Sequence, residues 1–388
     1  MTPGEPVVVD AVRTPRGKGS ARGALHAVPP LELVTGLMGA LTARGLDPAA
    51  VDDVVLGCAS QTGEQGGNLA RTAVLRAGWD VAVGGVTINR FCASGLDAIN
   101  LAAARIRAGD ATMIVAGGVE SVSRAPLFAD GGPLWREPYA IHMGIAADVV
   151  ATLEGFARDQ LDAYALATRA RARRGAVDTM IATAGLTDDE LRGWSPSATD
   201  VAAMGPAFAD LGAGGQDAIA IAHLPALAAI GRVRHLHTRA SSPALADAAA
   251  LVVVADRATA EARGLRARAR IVASVSCAAD PVLMLTAGQD AVVRLLDRAG
   301  LRAADIDVFE FAEAFAALCL RFARDLDVGP DRLNPRGGTI ALGHAFGATG
   351  AILLGNLVAQ LEERQGRYGI AAVSGAAGLG VATLIERR

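Results

Sequence analysis

One stretch of the chain reads Thr87-Ile88-Asn89-Arg90-Phe91-Cys92-Ala93-Ser94-Gly95-Leu96-Asp97-Ala98-Ile99-Asn100. A short apolar run ends at Asn89, a cysteine follows among small residues, and apolar residues then recur at helical spacing. This pattern predicts a strand, a sharp turn and a buried helix, with Cys92 at or just before the start of the helix. Unpaired N–H groups and the helix dipole favour a thiolate there, which predicts a lowered pKa for Cys92. The alternative is a small core residue, because unpaired cysteines are among the most buried residue types.

The composition indicates a globular protein with a large apolar core. The 388 residues carry a formal net charge of −3, and 52% of them are hydrophobic. Scattered charges of both signs favour neither a nucleic acid nor an anionic membrane surface as a partner. No apolar run approaches the roughly 20 residues that span a bilayer, and the first residues lack the pattern of a signal peptide.

The cysteines lie far apart and lack the spacing of a metal site: Cys58, Cys92, Cys277 and Cys319. We therefore expect a reduced, cytoplasmic protein without disulfides, metal or another permanently bound cofactor. Cys58 and Cys277 have the character of core residues.

Two parts of the chain repeat one order of elements. In residues 43–55 and again in 299–310, a helix ends at a glycine, a short turn follows, and a buried strand begins. Helices alternating with apolar strands predict a layered α/β fold, and the repetition predicts two related halves.

The middle of the chain breaks this pattern, because it holds a charged helical segment, little strand character and most of the Trp and Tyr residues. We predict an N-terminal half-domain at 1–119 that resumes at 248–270, an inserted loop domain at 120–247, and a C-terminal half-domain at 271–388. Long insertions of this kind tend to supply substrate contacts.

A second distinctive stretch reads Asn334-Pro335-Arg336-Gly337-Gly338-Thr339-Ile340-Ala341-Leu342-Gly343-His344-Ala345-Phe346-Gly347-Ala348-Thr349-Gly350. Its glycines permit tight turns but fit neither the dinucleotide nor the P-loop pattern. His344 holds the place in the second repeat that Cys92 holds in the first, so the duplication predicts a Cys–His pair. A neutral imidazole can accept the thiol proton. The alternative is a structural loop histidine.

These motifs resemble those of the thiolase family, over essentially the whole chain. Asn89–Gly95 is similar to the family's nucleophile motif, and Asn334–Gly350 is similar to its histidine motif. Three shorter matches support the resemblance: Arg13-Thr14-Pro15, His142-Met143-Gly144 and Pro206-Ala207-Phe208.

The resemblance implies a five-layered α/β/α/β/α core of two half-domains, with an inserted loop domain that binds coenzyme A, and assembly into homodimers or homotetramers. Cys92 would attack an acyl-CoA and become an acyl-thioester, His344 would activate it, and an oxyanion hole would involve Cys92, His344 and Ala376. The second half-reaction would be thiolytic cleavage of a 3-ketoacyl-CoA or the reverse Claisen condensation. The implied substrate-binding positions are His142, Met143, Phe208, Ser242, Ala314 and Phe315.

Three positions depart from the family pattern. Ser374 replaces the second cysteine, which moves a proton on or off the substrate α-carbon, and a hydroxyl is far less acidic than a thiol. Ala312 replaces an asparagine that holds a water in an oxyanion hole, and losing such a donor elsewhere lowers rates about a hundredfold or more. Pro243 replaces a CoA-contacting serine, although Ser241 and Ser242 directly precede it.

Two functions follow from this pattern. The first is an acyl-CoA C-acyltransferase whose second half-reaction is altered, with Ser374 and Glu313 as further candidate catalytic residues. Glu313 beside Ala312 is either a base or, as we favour, a structural residue, and Cys319 is expected to lie outside the site. The second function is a non-catalytic acyl-CoA-binding subunit, or one that depends on an accessory protein.

Overall fold

The computed structural model describes residues 4–127, 131–175 and 179–388. The strands are β1 (Pro6–Arg13), β2 (Gly17–Lys18), β3 (Asp53–Gly57), β4 (Val86–Ile88), β5 (Met113–Glu120), β6 (Ala246–Asp256), β7 (Ala269–Ala278), β8 (Val308–Phe311), β9 (Tyr368–Gly375) and β10 (Leu379–Glu386). The predicted strands of both halves are present, and β6 is an additional strand.

The helices alternate with these strands and also form the middle of the chain. They are α1 (Pro30–Ala43), α2 (Leu69–Arg76), α3 (Ser94–Ala108), α4 (Met143–Leu153), α5 (Arg158–Ala172), α6 (Ala198–Ala202), α7 (Ala209–Leu211), α8 (Asp217–His223), α9 (Pro225–Ile230), α10 (Arg257–Ala262), α11 (Ala287–Ala299), α12 (Ala316–Asp325), α13 (Thr339–Leu342) and α14 (Phe346–Arg364). Helices α4 to α9 lie between β5 and β6, in the region predicted as the loop domain.

The strands form one mixed sheet in the order β4-β3-β5-β6-β1-β7-β10-β9-β8, with β2 beside β6. In the first half, β3 is parallel to β4 and β5, and β6 is antiparallel to β5 and β1. The second half repeats this arrangement, since β8 is parallel to β9 and β10 is antiparallel to β9 and β7. A short pairing of Val7 and Val8 with Arg270 and Ala269 joins the halves.

Helices α3 and α14 pack against each other between the two halves of the sheet, where α3 contacts β3 and β5 and α14 contacts β5, β8 and β9. Helices α1 and α2 cover one outer face, and α11 covers the other. These layers confirm the predicted α/β/α/β/α core. The two central helices approach closely, since a Cβ on Gly95 would lie 2.3 Å from the carbonyl oxygen of Gly347.

All four cysteines are unpaired thiols. In the described ranges, no helix combines the length and apolar character needed to cross a bilayer. The boundaries of the loop domain stay a prediction, while β6 begins at Ala246 and β7 at Ala269.

Candidate active site

Cys92 lies in a tight turn between β4 and α3, as the sequence predicts. Phe91 takes a left-handed backbone conformation, with φ of 49°. Its carbonyl accepts a hydrogen bond from Ser94 Oγ at 2.6 Å, and that Oγ accepts one from the N–H of Arg90 at 2.8 Å. Asn89 Oδ1 accepts from the N–H of Phe91 at 2.8 Å. These side chains stabilise the turn by local hydrogen bonds that replace strand and helix bonds.

The resting thiol of Cys92 is protonated at neutral pH. Burial and, next, the nearby carboxylate of Glu120 raise the pKa of Cys92 to about 12, although the N–H groups of Cys92 and Ala376 act to lower it. The expectation of a lowered pKa is therefore wrong for the free enzyme, because desolvation outweighs the helix terminus. Two backbone N–H groups, of Cys92 and Ala376, therefore lie beside the sulfur.

Glu120 is a buried carboxylate that joins the two halves of the chain beside the thiol. Its oxygens accept hydrogen bonds from the N–H groups of Ala59 (2.9 Å), Ser60 (3.1 Å) and Gly347 (3.0 Å), and from Gln65 Nε2 (2.8 Å). Burial nevertheless raises the pKa of Glu120. The carboxylate thus holds the turn after β3 against the start of α14.

His344 lies two residues before α14, as Cys92 lies two residues before α3. Its backbone is fixed, since its N–H donates to Ala244 O at 2.8 Å and its carbonyl accepts from the N–H of Ala246 at 3.0 Å. Nδ1 lies 2.9 Å from Thr349 Oγ1. Burial, followed by the charge of Arg16, lowers the pKa of His344 to about 3. The imidazole is therefore neutral at pH 7, and with the proton on Nδ1 its Nε2 can accept a proton.

A narrow slot of about 20 Å³ lies over the Cys92 thiol. In the part of the chain that the structure describes, no hydrogen bond joins Cys92 to His344. Phe346 lies next to both residues. Its ring centroid is 4.4 Å from that of His344, and its side chain lines the slot together with Cys92. The lining residues are Ala59, Ser60, Phe91, Cys92, Leu127, Trp135, Met143, Phe346 and Ala376.

Two larger cavities lie near this slot. A chamber of about 210 Å³ is lined by Trp135, Ala140, Ile141, His142, Met143, Gln216, Met284 and Ala376. A cleft of about 590 Å³ is lined by Lys18, Gly19, Ser20, Glu190, Leu191, Trp194, Ala207, Phe208, Arg239, Ser242, Pro243, Ala244 and Leu245. The chamber shares three walls with the slot, and the cleft adjoins the backbone segment that pairs with His344.

The predicted marker His142-Met143-Gly144 lies between the chamber and the cleft. Nδ1 of His142 accepts a hydrogen bond from the N–H of Gly144 at 3.0 Å and so caps α4. Phe208 lies against both residues, since its ring centroid is 5.4 Å from that of His142, and a Cβ on Gly144 would lie 2.4 Å from its ring. A residue without a side chain is therefore required at position 144.

The other three predicted substrate-binding residues differ in their position relative to the cleft. Ser242 lines it, but its hydroxyl donates to Thr238 O at 2.8 Å. Phe315 is buried beneath Phe208, with 5.7 Å between the ring centroids. Ala314 is half-buried and lines neither the slot, the chamber nor the cleft.

Comparison with known proteins decides the family. The family models for the thiolase N-terminal and C-terminal domains match residues 6–181 and 265–387. The chain belongs to the thiolase family. With its thiol and imidazole motifs intact, it is an acyltransferase of the thiolase class.

Three relatives cover nearly the whole length of this thiolase. It is 36% identical to the steroid 3-ketoacyl-CoA thiolase of Mycobacterium tuberculosis, over 99% of this chain and 94% of the relative. It is 35% identical to the 3-oxoadipyl-CoA/3-oxo-5,6-dehydrosuberyl-CoA thiolase of Escherichia coli, over 99% of each chain. The 3-ketoacyl-CoA thiolase of Shewanella frigidimarina is 33% identical, over 98% of this chain and 99% of the relative.

The structure directs the Ser374 hydroxyl away from the slot of this thiolase. Oγ donates to Leu285 O at 2.7 Å and accepts from the N–H of Gly288 at 3.0 Å. Ala312 is a buried residue of the core and contributes only a methyl group. Neither residue therefore supplies a free polar group beside Cys92 in the resting enzyme.

Glu313 is fully buried and hydrogen-bonded on both oxygens. Oε1 accepts from Tyr164 Oη (2.8 Å), Thr168 Oγ1 (2.8 Å) and Asn334 Nδ2 (3.1 Å), and Oε2 accepts from the N–H of Ile340 (3.1 Å). The carboxylate thus joins α5 to the loop that carries the histidine motif. This geometry supports the structural role that the sequence favours for Glu313, because the donors occupy the oxygens that a base would use.

We expect Glu313→Ala to lower the free energy of unfolding by about 3 kcal/mol or more, because it leaves several buried donors unpaired. Glu313→Gln keeps one acceptor oxygen and should lose less. Chemical denaturation of both variants measures the difference. A Glu313→Ala protein as stable as the wild type but unable to form or cleave C–C bonds would instead make Glu313 a base.

The protonated thiol gives a distinct pH profile for alkylation. Below its pKa the thiolate fraction rises tenfold per pH unit, so the rate constant for Cys92 with iodoacetamide should rise about tenfold per unit between about pH 7 and 9. Peptide mass spectrometry separates Cys92 from the other three buried cysteines. A plateau near pH 7 would instead indicate a thiolate–imidazolium pair in the resting enzyme.

Several residues of the site are not evident from the sequence alone. Phe346 and Thr349 lie within the histidine motif, and Glu120 is the one charged residue in the otherwise apolar strand β5, so each offers a weak signal. Gln216 and Met284 offer none, because they reach the chamber from distant segments.

Proposed function

We propose that this thiolase forms an acyl-thioester on Cys92 and completes its cycle with His344 as the principal base. The observation that carries the proposal is the buried neutral thiol flanked by the N–H groups of Cys92 and Ala376, with a neutral imidazole supplied by the matching corner of the second half. A thiolase with an altered second half-reaction explains this arrangement together with the environment of Ser374.

In the first half-reaction, Nε2 of His344 accepts the proton of Cys92, and the thiolate attacks the carbonyl carbon of the acyl thioester. The two N–H groups stabilise the oxyanion of the tetrahedral intermediate. The carbon–sulfur bond to CoA then breaks, and the imidazolium returns the proton to the CoA thiolate. For a 3-ketoacyl-CoA the thiolate attacks the 3-keto carbon instead, the bond between C2 and C3 breaks, and the imidazolium proton neutralises the carbanion left on C2 of acetyl-CoA.

In the second half-reaction, His344 accepts the proton of an incoming CoA thiol, and the CoA sulfur attacks the acyl group on Cys92. The Cys92 thiolate leaves and regains the proton from the imidazolium. Proton transfer balances without a second cysteine, but one base then serves every step. We therefore expect slow turnover, because Ser374 and Ala312 do not supply the groups that other members of the family use.

We assign coenzyme A to the cleft, and its lining supports this assignment. Lys18 and Arg239 supply positive charge for phosphates, and the guanidinium of Arg239 lies 5.7 Å from the ring of Trp194. Phe208 and Leu245 line the path toward His142 and the histidine motif. Ser242 beside Pro243 takes the place of the usual serine contact, although its hydroxyl is already engaged with Thr238.

The substrate is a 3-ketoacyl-CoA in this proposal, as the names of the relatives indicate. Those names include steroid and 3-oxoadipyl substrates, so the family does not decide the acyl group. The predicted homodimer or homotetramer stays part of the proposal. Strand β4 at the edge of the sheet, with Val86 exposed, is suited to a subunit contact.

Exchange of labelled CoA into acetyl-CoA tests acyl transfer between CoA and Cys92 in both directions, and thiolysis of 3-oxohexanoyl-CoA additionally requires carbon–carbon cleavage. We expect exchange to be faster than thiolysis in the wild type. The double variant Ser374→Cys with Ala312→Asn should raise thiolysis by roughly tenfold to a hundredfold and change exchange little. No exchange despite acetyl-CoA binding would favour the second candidate function, a binding subunit.

A further inference from the structure

The slot and the chamber divide the space around the thiol into two unequal parts. They share Trp135, Met143 and Ala376, so the chamber adjoins the slot that holds the reacting sulfur. The slot has a volume of about 20 Å³, and one water molecule needs roughly 10–15 Å³. The chamber has a volume of about 210 Å³. The slot therefore admits the reacting carbonyl, and the chamber has room for the carbon atoms beyond it.

Apart from the indole of Trp135, two residues bring polar side chains to the described walls of the chamber, and the remaining walls are apolar. Ile141, Met143 and Met284 are aliphatic or thioether side chains. His142 is a hydrogen-bond acceptor at its Nδ1, and burial lowers its pKa, so it is neutral at pH 7. In the ranges that the structure describes, no Lys, Arg, Asp or Glu lines the chamber. A carboxylate in the acyl tail would be desolvated there without a counter-charge, which is strongly unfavourable.

Gln216 is the second polar residue, and its amide is oriented. Oε1 accepts a hydrogen bond from the N–H of His142 at 2.6 Å. Among the described residues, Nε2 has no hydrogen-bond partner, so the NH₂ group remains able to donate. The next residue, Asp217, is held by His235 at 3.0 Å, and His235 in turn lies 3.1 Å from Asp148 on α4. These contacts fix the segment that carries Gln216 against α4.

We propose that the chamber receives the acyl tail and that Gln216 selects an uncharged acyl group with a hydrogen-bond-accepting oxygen on that tail. The assignment rests on the proposed function, since it concerns the acyl group carried by Cys92. The NH₂ group of Gln216 donates to the tail oxygen, while the apolar walls contact its carbon atoms. A tail that ends in a carboxylate is disfavoured because the described walls of the chamber supply no cation.

The test compares acylation rates of Cys92 by acyl-CoA esters of equal chain length, normalised to acetyl-CoA on the same protein. The probes are hexanoyl-CoA, 5-oxohexanoyl-CoA, 6-hydroxyhexanoyl-CoA and adipoyl-CoA. We expect at least one of the two oxygenated neutral probes to react about three to ten times faster than hexanoyl-CoA. Adipoyl-CoA should react at least about 30 times more slowly than hexanoyl-CoA.

Two substitutions at Gln216 test whether this residue determines the preference. Gln216→Leu should abolish the preference for the oxygenated probe, and Gln216→Arg should raise the ratio of adipoyl-CoA to hexanoyl-CoA at least about tenfold by supplying the missing cation. Ala213→Arg adds the same charge at a nearby exposed position and should leave the ratio unchanged. Each ratio compares two substrates on one protein, so the folded fraction cancels.

Adipoyl-CoA reacting as fast as hexanoyl-CoA would overturn the assignment, and so would a ratio that Gln216→Arg does not change. Acetylation of Cys92 together with equal rates for all tails would overturn this assignment alone. If acetyl-CoA itself leaves Cys92 unmodified, the proposed function fails and the assignment fails with it.

Discussion

Cys92→Ala is expected to abolish both CoA exchange and thiolysis. The slot over the thiol is too small for a water nucleophile and a thioester together, and its described lining holds no other cysteine. We expect a loss of at least about 10⁴-fold, since removing the nucleophile of a serine protease lowers kcat by about 10⁶. Exchange of labelled CoA into acetyl-CoA, measured with purified protein, gives the most sensitive readout.

Cys277→Ala is the matched control for this loss. Cys277 is also a buried thiol, but it lies on β7, where its Sγ is 3.4 Å from Ala287 O, and it lines neither the slot nor the chamber. Exchange should survive this substitution. Exchange that persists in Cys92→Ala would place the acyl group on another residue and contradict the mechanism.

His344→Ala is expected to lower the rate of Cys92 acylation by about 10² to 10⁴-fold, the usual contribution of a general base. The effect should be large because the pKa of Cys92 is raised to about 12, so little thiolate forms unaided at pH 7. The deficit should shrink as the pH rises, because hydroxide then generates thiolate without the imidazole. Acylation rates of the wild type and the variant between about pH 7 and 10 measure this convergence.

His26→Ala is a suitable control, since His26 is half-buried and its Nδ1 lies 3.0 Å from Ser123 Oγ, outside the slot. Cys92 in the His26→Ala variant should be acylated at the wild-type rate at every pH. A His344→Ala deficit that stays constant with pH would indicate that the imidazole positions the substrate and does not accept the thiol proton.

The layered fold and the two reactive corners could be predicted from the sequence because their signals are local. Apolar periodicity predicts the helices and strands, and the repeated order places Cys92 and His344 at matching turns, each two residues before a central helix. The environment of Cys92 could not be predicted in the same way. Its raised pKa comes from burial and from Glu120, and both depend on packing between distant segments.

The environments of Ser374 and Glu313 show the same limit. Their motif positions indicate proximity to the site, but the direction of each side chain depends on partners such as Leu285 and Thr168, far away in the sequence. The chamber is a still clearer case. Gln216 lines the chamber from the segment between α7 and α8, and no sequence motif in that segment predicts a contact with substrate.

Acyl transfer to Cys92 is the central claim, and peptide mass spectrometry after incubation with acetyl-CoA tests it most directly. An acid quench preserves the thioester, and the peptide that contains Cys92 should gain one acetyl group. Free CoA added before the quench should remove that group and regenerate acetyl-CoA. An unmodified Cys92 in folded protein that binds acetyl-CoA, or an acetyl group on a different residue, would contradict the account.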